Sequence, residues 1–226
     1  MKFFSPDSKI FQMLTDVFDL VLLNFLFMLT CLPVVTIGAA ISSLYKMTSN
    51  LTEHKGGKIT AEYFAAFKSN FKKATPAWII DAIVLALLYF DIWYWYKAGS
   101  GNLRLGMIIF SVAVLVIVLL KFQWVYPIIS MFENNVKSTM FNGFLFGIRY
   151  LLPTVIMVAL TLGFWFILLY LEVTLPLLIL FGFSLPVYIK SFYVFKKLKV
   201  YADPQYAEKR EEVKKERVFV DESDQF

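Results

Sequence analysis

Apolar residues fall into five long runs, at 17–42, 76–96, 103–132, 150–171 and 175–195, separated by shorter polar stretches. A helix rises ~1.5 Å per residue, so ~20 apolar residues cross a hydrocarbon core of ~30 Å. Each run therefore predicts a membrane-spanning helix. The predicted fold class is all-α, a polytopic bundle of about five transmembrane helices. Between the runs the pattern becomes amphipathic. In 62–75, Tyr63, Phe67 and Phe71 recur one helical turn apart with Lys68 and Lys72 beside them, which predicts a surface helix suited to lipid or to a partner. A second amphipathic stretch follows the polar connector 133–137 and ends at Arg149. Pro33 and Gly38 interrupt the first run and Pro127 the third, so kinks are expected at both prolines; membrane helices tolerate them because neighbours satisfy the freed backbone groups.

The two ends differ from the runs. Ser5-Pro6-Asp7-Ser8 has the residues of a helix start. Asp203-Pro204 offers another start, and 208–217 mixes charges of both signs at i,i+4 spacing. Residues 1–199 thus read as one transmembrane domain and 200–226 as a charged cytoplasmic tail.

Composition agrees with the pattern. The 226 residues are 59% hydrophobic and 17% charged, whereas soluble domains run near ~45–50% apolar and ~25% charged. Lysine plus arginine number 22 against 17 acids. No nucleic-acid partner is implied, because no basic patch belongs to a recognisable reader fold. The excess sits in 45–75, in 133–149 and in the tail, and cytoplasmic loops of membrane proteins are enriched in Lys and Arg. With five spans those segments share the cytoplasmic side of a cell membrane. The N-terminus, the Lys97–Arg104 turn and Glu172 then lie outside. Cys31 is the single cysteine, so no internal disulfide forms, and its position in an apolar run reads as a small buried side chain. Asp7, Asp16 and Asp19 interrupt the basic character expected of a cleavable leader, so the first helix is expected to stay as its own insertion signal.

Four ionisable side chains fall within spans: Asp81, Asp91, Lys121 and Lys190. Each costs at least ~2.5–3.5 kcal/mol at mid-membrane and usually faces protein or water. Lys190 is close enough to a helix end to snorkel. Asp91 lies in an aromatic cluster, 89–96, that reads as an interfacial belt. Asp81 and Lys121 both fall in the cytoplasmic half, and a buried pair is expected. It serves either as a structural tie or as the lining of a substrate or proton path. No H-E-x-x-H, phosphate-binding loop or nucleophile elbow is present, and His54 stands alone; neither an enzyme nor a cofactor is implied. Gly143 and Gly147 form a GxxxG outside any span. Leu32-Pro33-Val34, Tyr126-Pro127-Ile128 and Leu185-Pro186-Val187 echo one another. They fit either a helix-pair repeat or prolines recurring at helix ends for local reasons.

Phe4-Ser5-Pro6-Asp7-Ser8, Asn24, the string Leu32-Pro33-Val34-Val35-Thr36-Ile37-Gly38-Ala39-Ala40, Leu44-Tyr45 and Phe67-Lys68-Ser69-Asn70-Phe71-Lys72-Lys73-Ala74-Thr75 resemble the YesL family, domain of unknown function 624. The resemblance implies an integral membrane protein of Gram-positive bacteria, encoded near carbohydrate-uptake ABC transporters, with no catalytic residues to carry over. It therefore implies ABC permease subunits as partners. In such permeases a cytoplasmic amphipathic helix docks on the ATPase. The segment 62–75 has that character but lacks the glycine-centred E-A-A pattern and closing I-x-L-P. Two functions follow as expectations: a non-enzymatic accessory subunit of a sugar-uptake system, or a small transporter or channel using Asp81 and Lys121.

Overall fold

A computed structural model describes residues 9–55, 57–170 and 174–202. The expected helix starts at Ser5 and Asp203, the outer turn at Glu172 and the mixed-charge stretch 208–217 lie outside the described residues. The chain is all-α. Its helices are α1 (Lys9–Cys31), α2 (Ile37–Thr52), α3 (Ile59–Ala98), α4 (Gly101–Met131), α5 (Val136–Arg149), α6 (Leu151–Tyr170), α7 (Thr174–Phe181) and α8 (Ser184–Ala202). Among the described residues, five segments are long and apolar enough to cross a membrane: Gln12–Cys31, Ile59–Ala98, Gly101–Met131, Leu151–Leu168 and Pro176–Ala202. The expected span number is met, but three spans differ in form from their prediction.

The first difference is at Pro33. Proline has no N–H and its ring disfavours helix in the residue before it, so α1 stops at Cys31. A single 3-10 turn, Val34–Thr36, follows. Thr36 Oγ1 donates to the carbonyls of Thr30 and Pro33 and closes the corner. The run 17–42 is therefore not one kinked span. α2 returns antiparallel to α1, and Asp16 comes to lie 3.9 Å from His54 just past the end of α2.

The second difference is at Pro76. The expected surface helix and the following span form one helix, α3, of 40 residues with Pro76 inside. At ~1.5 Å per residue it is ~60 Å long, about twice a hydrocarbon core. α2 lies antiparallel on its first half. The two are close enough at Gly38 that a Cβ there would overlap the Ala74 carbonyl oxygen and the Trp78 Cβ. The inward stripe of α3 is Tyr63, Ala66, Asn70, Ala74, Ala77 and Asp81, spaced three or four residues apart. α4 runs antiparallel to α3 and also continues through its proline, Pro127. α5 folds back on α4 at its two glycines: a Cβ on Gly143 would stand 2.5 Å from Val125 Cγ2, and one on Gly147 would stand 3.3 Å from the Leu120 carbonyl. The GxxxG thus packs a short amphipathic helix on a span.

The third difference is a break in the last span at Gly182-Phe183, between α7 and α8. The three proline strings consequently occupy three different settings, a corner, a helix interior and the first turn of α8. They do not mark a structural repeat.

The core lies among α1, α2, the first half of α3, the last third of α4 and α8. Leu23, Leu44, Met47, Tyr63, Trp124, Tyr126 and Leu198 are fully buried there. Thr48 meets Ser191 at 2.8 Å, and Glu53 pairs with Lys199, so α8 runs parallel to α2. The beginning of α1, the α2–α3 turn and the end of α8 accordingly share one end of the bundle. The five-span reading puts the N-terminus and the tail on opposite sides; among the described residues, the corner at Pro33 brings the start of α1 to the same end as the end of α8.

Candidate functional site

Polar side chains form a string where the packed core meets the outer half of the α3–α4 hairpin. Asp81 is fully buried, and its Oδ1 accepts a hydrogen bond from the ammonium of Lys121, whose side chain is 13% exposed. The geometry follows from sequence: forty residues separate the two, and the tight turn at Gly99-Ser100 folds α4 antiparallel on α3. One turn along α4, Tyr126 is buried between Phe122 and the Asp81 side of α3. Neither Asp81 Oδ2 nor Tyr126 Oη has a hydrogen-bond partner among the described residues. Farther out on the same hairpin, Ser111 Oγ donates to Asp91 Oδ2 at 2.5 Å.

Lys190 does not snorkel. It is 7% exposed, and its ammonium donates to Gln123 Oε1 and Thr161 Oγ1, both at 3.2 Å, while lying 5.9 Å from the Tyr45 ring centroid. No carboxylate pairs with it among the described residues. It ties α8 to α4 and α6 by neutral acceptors alone. Nearby, Trp124 Nε1 donates to Thr154 Oγ1 at 2.8 Å.

The surface residues expected on one face of α3 separate. Tyr63 is fully buried, its hydroxyl 2.7 Å from Thr30 Oγ1, and Phe67 is half-buried against the core. Tyr63 therefore leaves the candidate surface. Phe71, Lys68 and Lys72 are exposed, and Phe64 joins them. The exposed stripe is Phe64, Lys68, Phe71 and Lys72, at i, i+4, i+7 and i+8. It is rotated from the expected one because the face of α3 turned to the core is the one that carries Ala66, Ala74 and Ala77 along with Tyr63. The two aromatic periodicities, 63/67/71 and 64/71, are equally legible in sequence. The alanines are the signal that decides between them.

Sequence reasoning assigned Asn24 no role, yet it holds the broken span. Its Nδ2 donates to the carbonyls of Leu178 and Ile179 at 3.0 and 2.7 Å. Its Oδ1 accepts from the N–H groups of Phe183 and Ser184 at 2.8 and 3.1 Å. Helix ends leave backbone groups unpaired, and a membrane supplies no water for them. One carboxamide serves both ends of the break. A lone asparagine in an apolar run is its signal.

These residues can be set beside known proteins. Residues 20–92 match the family described as protein of unknown function, DUF624. This is the family its opening motifs resemble. Neither the curated proteins nor the solved structures gave a match. The DUF624 segment runs from α1 through the Pro33 corner and α2 into the outer half of α3. It holds Asn24, Gly38, the Phe64–Lys72 stripe and Asp81, but not Lys121. Its most specific string, Leu32 to Ala40, is accounted for by architecture. Pro33 ends α1, and the Val34 carbonyl accepts from Trp78 Nε1 at 2.8 Å. Thr36 closes the turn, and Gly38 admits α3. Ala39 and Ala40 are fully buried. What the apolar helices and the DUF624 match establish together is a membrane-embedded helical protein, one segment of which matches a family without assigned function.

Proposed function

We propose that this chain is a non-enzymatic accessory subunit associated with carbohydrate-uptake ABC transport, acting through contacts of its helices. The observation that carries the reading is the exposed stripe Phe64, Lys68, Phe71 and Lys72 on the half of α3 that outruns a bilayer's thickness. Apolar anchors with a basic rim suit a protein partner. That end also carries Lys55, Lys58, Lys73 and the end of α8. The opposite end of the α3–α4 hairpin has Lys97 and Arg104. The bias favours a cytoplasmic placement, in a cell membrane, for this end. The resemblance to a family encoded near sugar ABC systems supplies the class of partner, a permease subunit.

The test replaces both exposed rings, Phe64→Asp with Phe71→Asp, in the full chain expressed with the neighbouring permease. The expected outcome is loss of co-purification with unchanged membrane insertion and thermal stability. Undiminished co-purification would leave the stripe as a lipid anchor. A second reading, a small transporter or channel, rests on Asp81 Oδ2 and Tyr126 Oη, two buried oxygens without partners among the described residues. It requires the purified chain alone to move solute into liposomes, and it fails if Asp81→Asn leaves that flux unchanged.

A further inference from the structure

A cavity of about 370 Å³ opens between the end of α4, α5 and the end of α8, away from the stripe on α3. Phe132, Asn134, Asn142, Phe146, Arg149 and Tyr201 are among its lining residues. Among the described residues, Arg149 is the only charged side chain in the lining. Its guanidinium lies 5.9 Å from the Tyr150 ring and 5.6 Å from the Tyr201 ring, so two aromatic faces hold it in place. No carboxylate pairs with it among the described residues. The acid nearest to the lining in sequence, Glu133, is exposed and not part of it. Lys197, over the same Tyr150 ring at 5.5 Å, adds positive potential at the rim.

Depth in the membrane narrows the ligand. Arg149 is the last residue of α5, and the span of α6 begins at Leu151, with Leu151 and Leu152 exposed. A cation one turn from the start of an apolar span, ringed by aromatic side chains, sits at headgroup level. A guanidinium presents a planar fork that matches two phosphate oxygens, and carboxamides add N–H donors for the remaining oxygens. Basic pockets of this kind on the cytoplasmic side suit anionic lipid headgroups. We propose that this cavity binds the phosphate of an anionic phospholipid headgroup, with Arg149 as the fork and Asn134 and Asn142 as amide donors.

The test is a thermal-shift titration of the purified full chain in neutral detergent with phosphatidylglycerol, phosphatidylcholine or inorganic phosphate. Phosphatidylglycerol should raise Tm saturably, and phosphatidylcholine should not. Arg149→Gln should weaken half-saturation about tenfold or more, the scale of a lost charge-assisted contact. Arg149→Lys, which keeps the charge without the fork, should fall between. Lys97→Gln at the far end should titrate like the parent. A shift with millimolar inorganic phosphate makes free phosphate the source of the shared chemistry; a shift with lipid alone makes it the headgroup. An equal response to phosphatidylcholine, or Arg149→Gln titrating like the parent, overturns the site. Should Arg149→Gln fail to fold, Asn142→Leu removes an amide donor and narrows the cavity with the arginine intact, and a full lipid response in that variant overturns it equally.

Discussion

α2 and the outer hairpin, residues 79–120, are both largely apolar helix, and they end against different neighbours. Eleven of the sixteen residues of α2 are buried, among them Gly38, Ala39, Ala40, Ser42, Ser43, Thr48 and Ser49. Along the outer hairpin the large side chains face outward: Ile79, Ile83, Leu87, Phe90, Trp93, Ile109, Phe110 and Val116 are all exposed. Lipid tails are as apolar as leucine, so hydrophobicity does not drive one membrane helix onto another. Close backbone approach and hydroxyl hydrogen bonds do. Small and hydroxyl-bearing residues mark the helix that faces protein, and bulky aliphatic and aromatic residues mark the hairpin that faces lipid. Asp81 and Lys121 pair α3 with α4 at the base of that hairpin.

That junction gives the largest expected effect. Asp81→Asn or Lys121→Met leaves one charge buried without its partner, which typically costs ~3–5 kcal/mol, whereas removing both should cost less than either alone. Thermal unfolding of the two single variants and the double variant in detergent measures this. Losses that simply add would mean α3 and α4 are held together here by packing and not by the pair.

A smaller effect tests the contrast between small and bulky residues. Gly38→Ala forces a methyl into the Ala74 carbonyl and Trp78, so it should destabilise by about 1–3 kcal/mol, as overpacking does. At Gly106, on the outer hairpin, an added Cβ would meet nothing within 4 Å. Gly106→Ala should therefore gain about 0.5–1 kcal/mol from helix propensity. The comparison rests on opposite signs for one chemical change, and equal signs in the same melting assay would break it.

How much of this was legible follows from the same contrast. The number of spans, the α3–α4 hairpin and the proximity of Asp81 to Lys121 follow from run length and from one short turn. The corner at Pro33 was hidden because the run 17–42 stays apolar on both sides of it, and hydropathy does not tell a kinked span from a hairpin. Its small residues, Gly38 to Ser43, carried the missing information: they seek protein, and a lipid-facing second half would not use them. Tyr63 was misplaced for a related reason. Ring periodicity gave a face, but the alanine stripe at 66, 74 and 77 sets which face turns inward. The break at Gly182-Phe183 and its clamp, Asn24, lie 159 and 160 residues apart along the chain at the two N–H groups it accepts from, a pairing that no local pattern encodes.

The smallest expected effect lies at the basic end, where α2 and α8 finish together. Glu53 accepts from Lys199, and its Oε2 lies 2.7 Å from the Lys55 ammonium. Hydrogen bonds from Lys199 and then Lys55 hold its carboxyl below the usual glutamate range. A carboxyl whose pKa is lower folded than unfolded contributes its full stability above the unfolded value of ~4.3. That contribution disappears as pH falls through the lower folded value. The carboxylate is 21% exposed and Lys199 48%, so the tie is worth about 1 kcal/mol or less and weakens in salt. Glu53→Gln should therefore melt slightly below the parent at pH 7 and low ionic strength. The gap should close as pH drops below about 4, because the parent then loses what the variant never had. A gap that persists at about pH 3, or that widens there, would show that Glu53 joins α2 to α8 through the shape of its side chain and not through its charge.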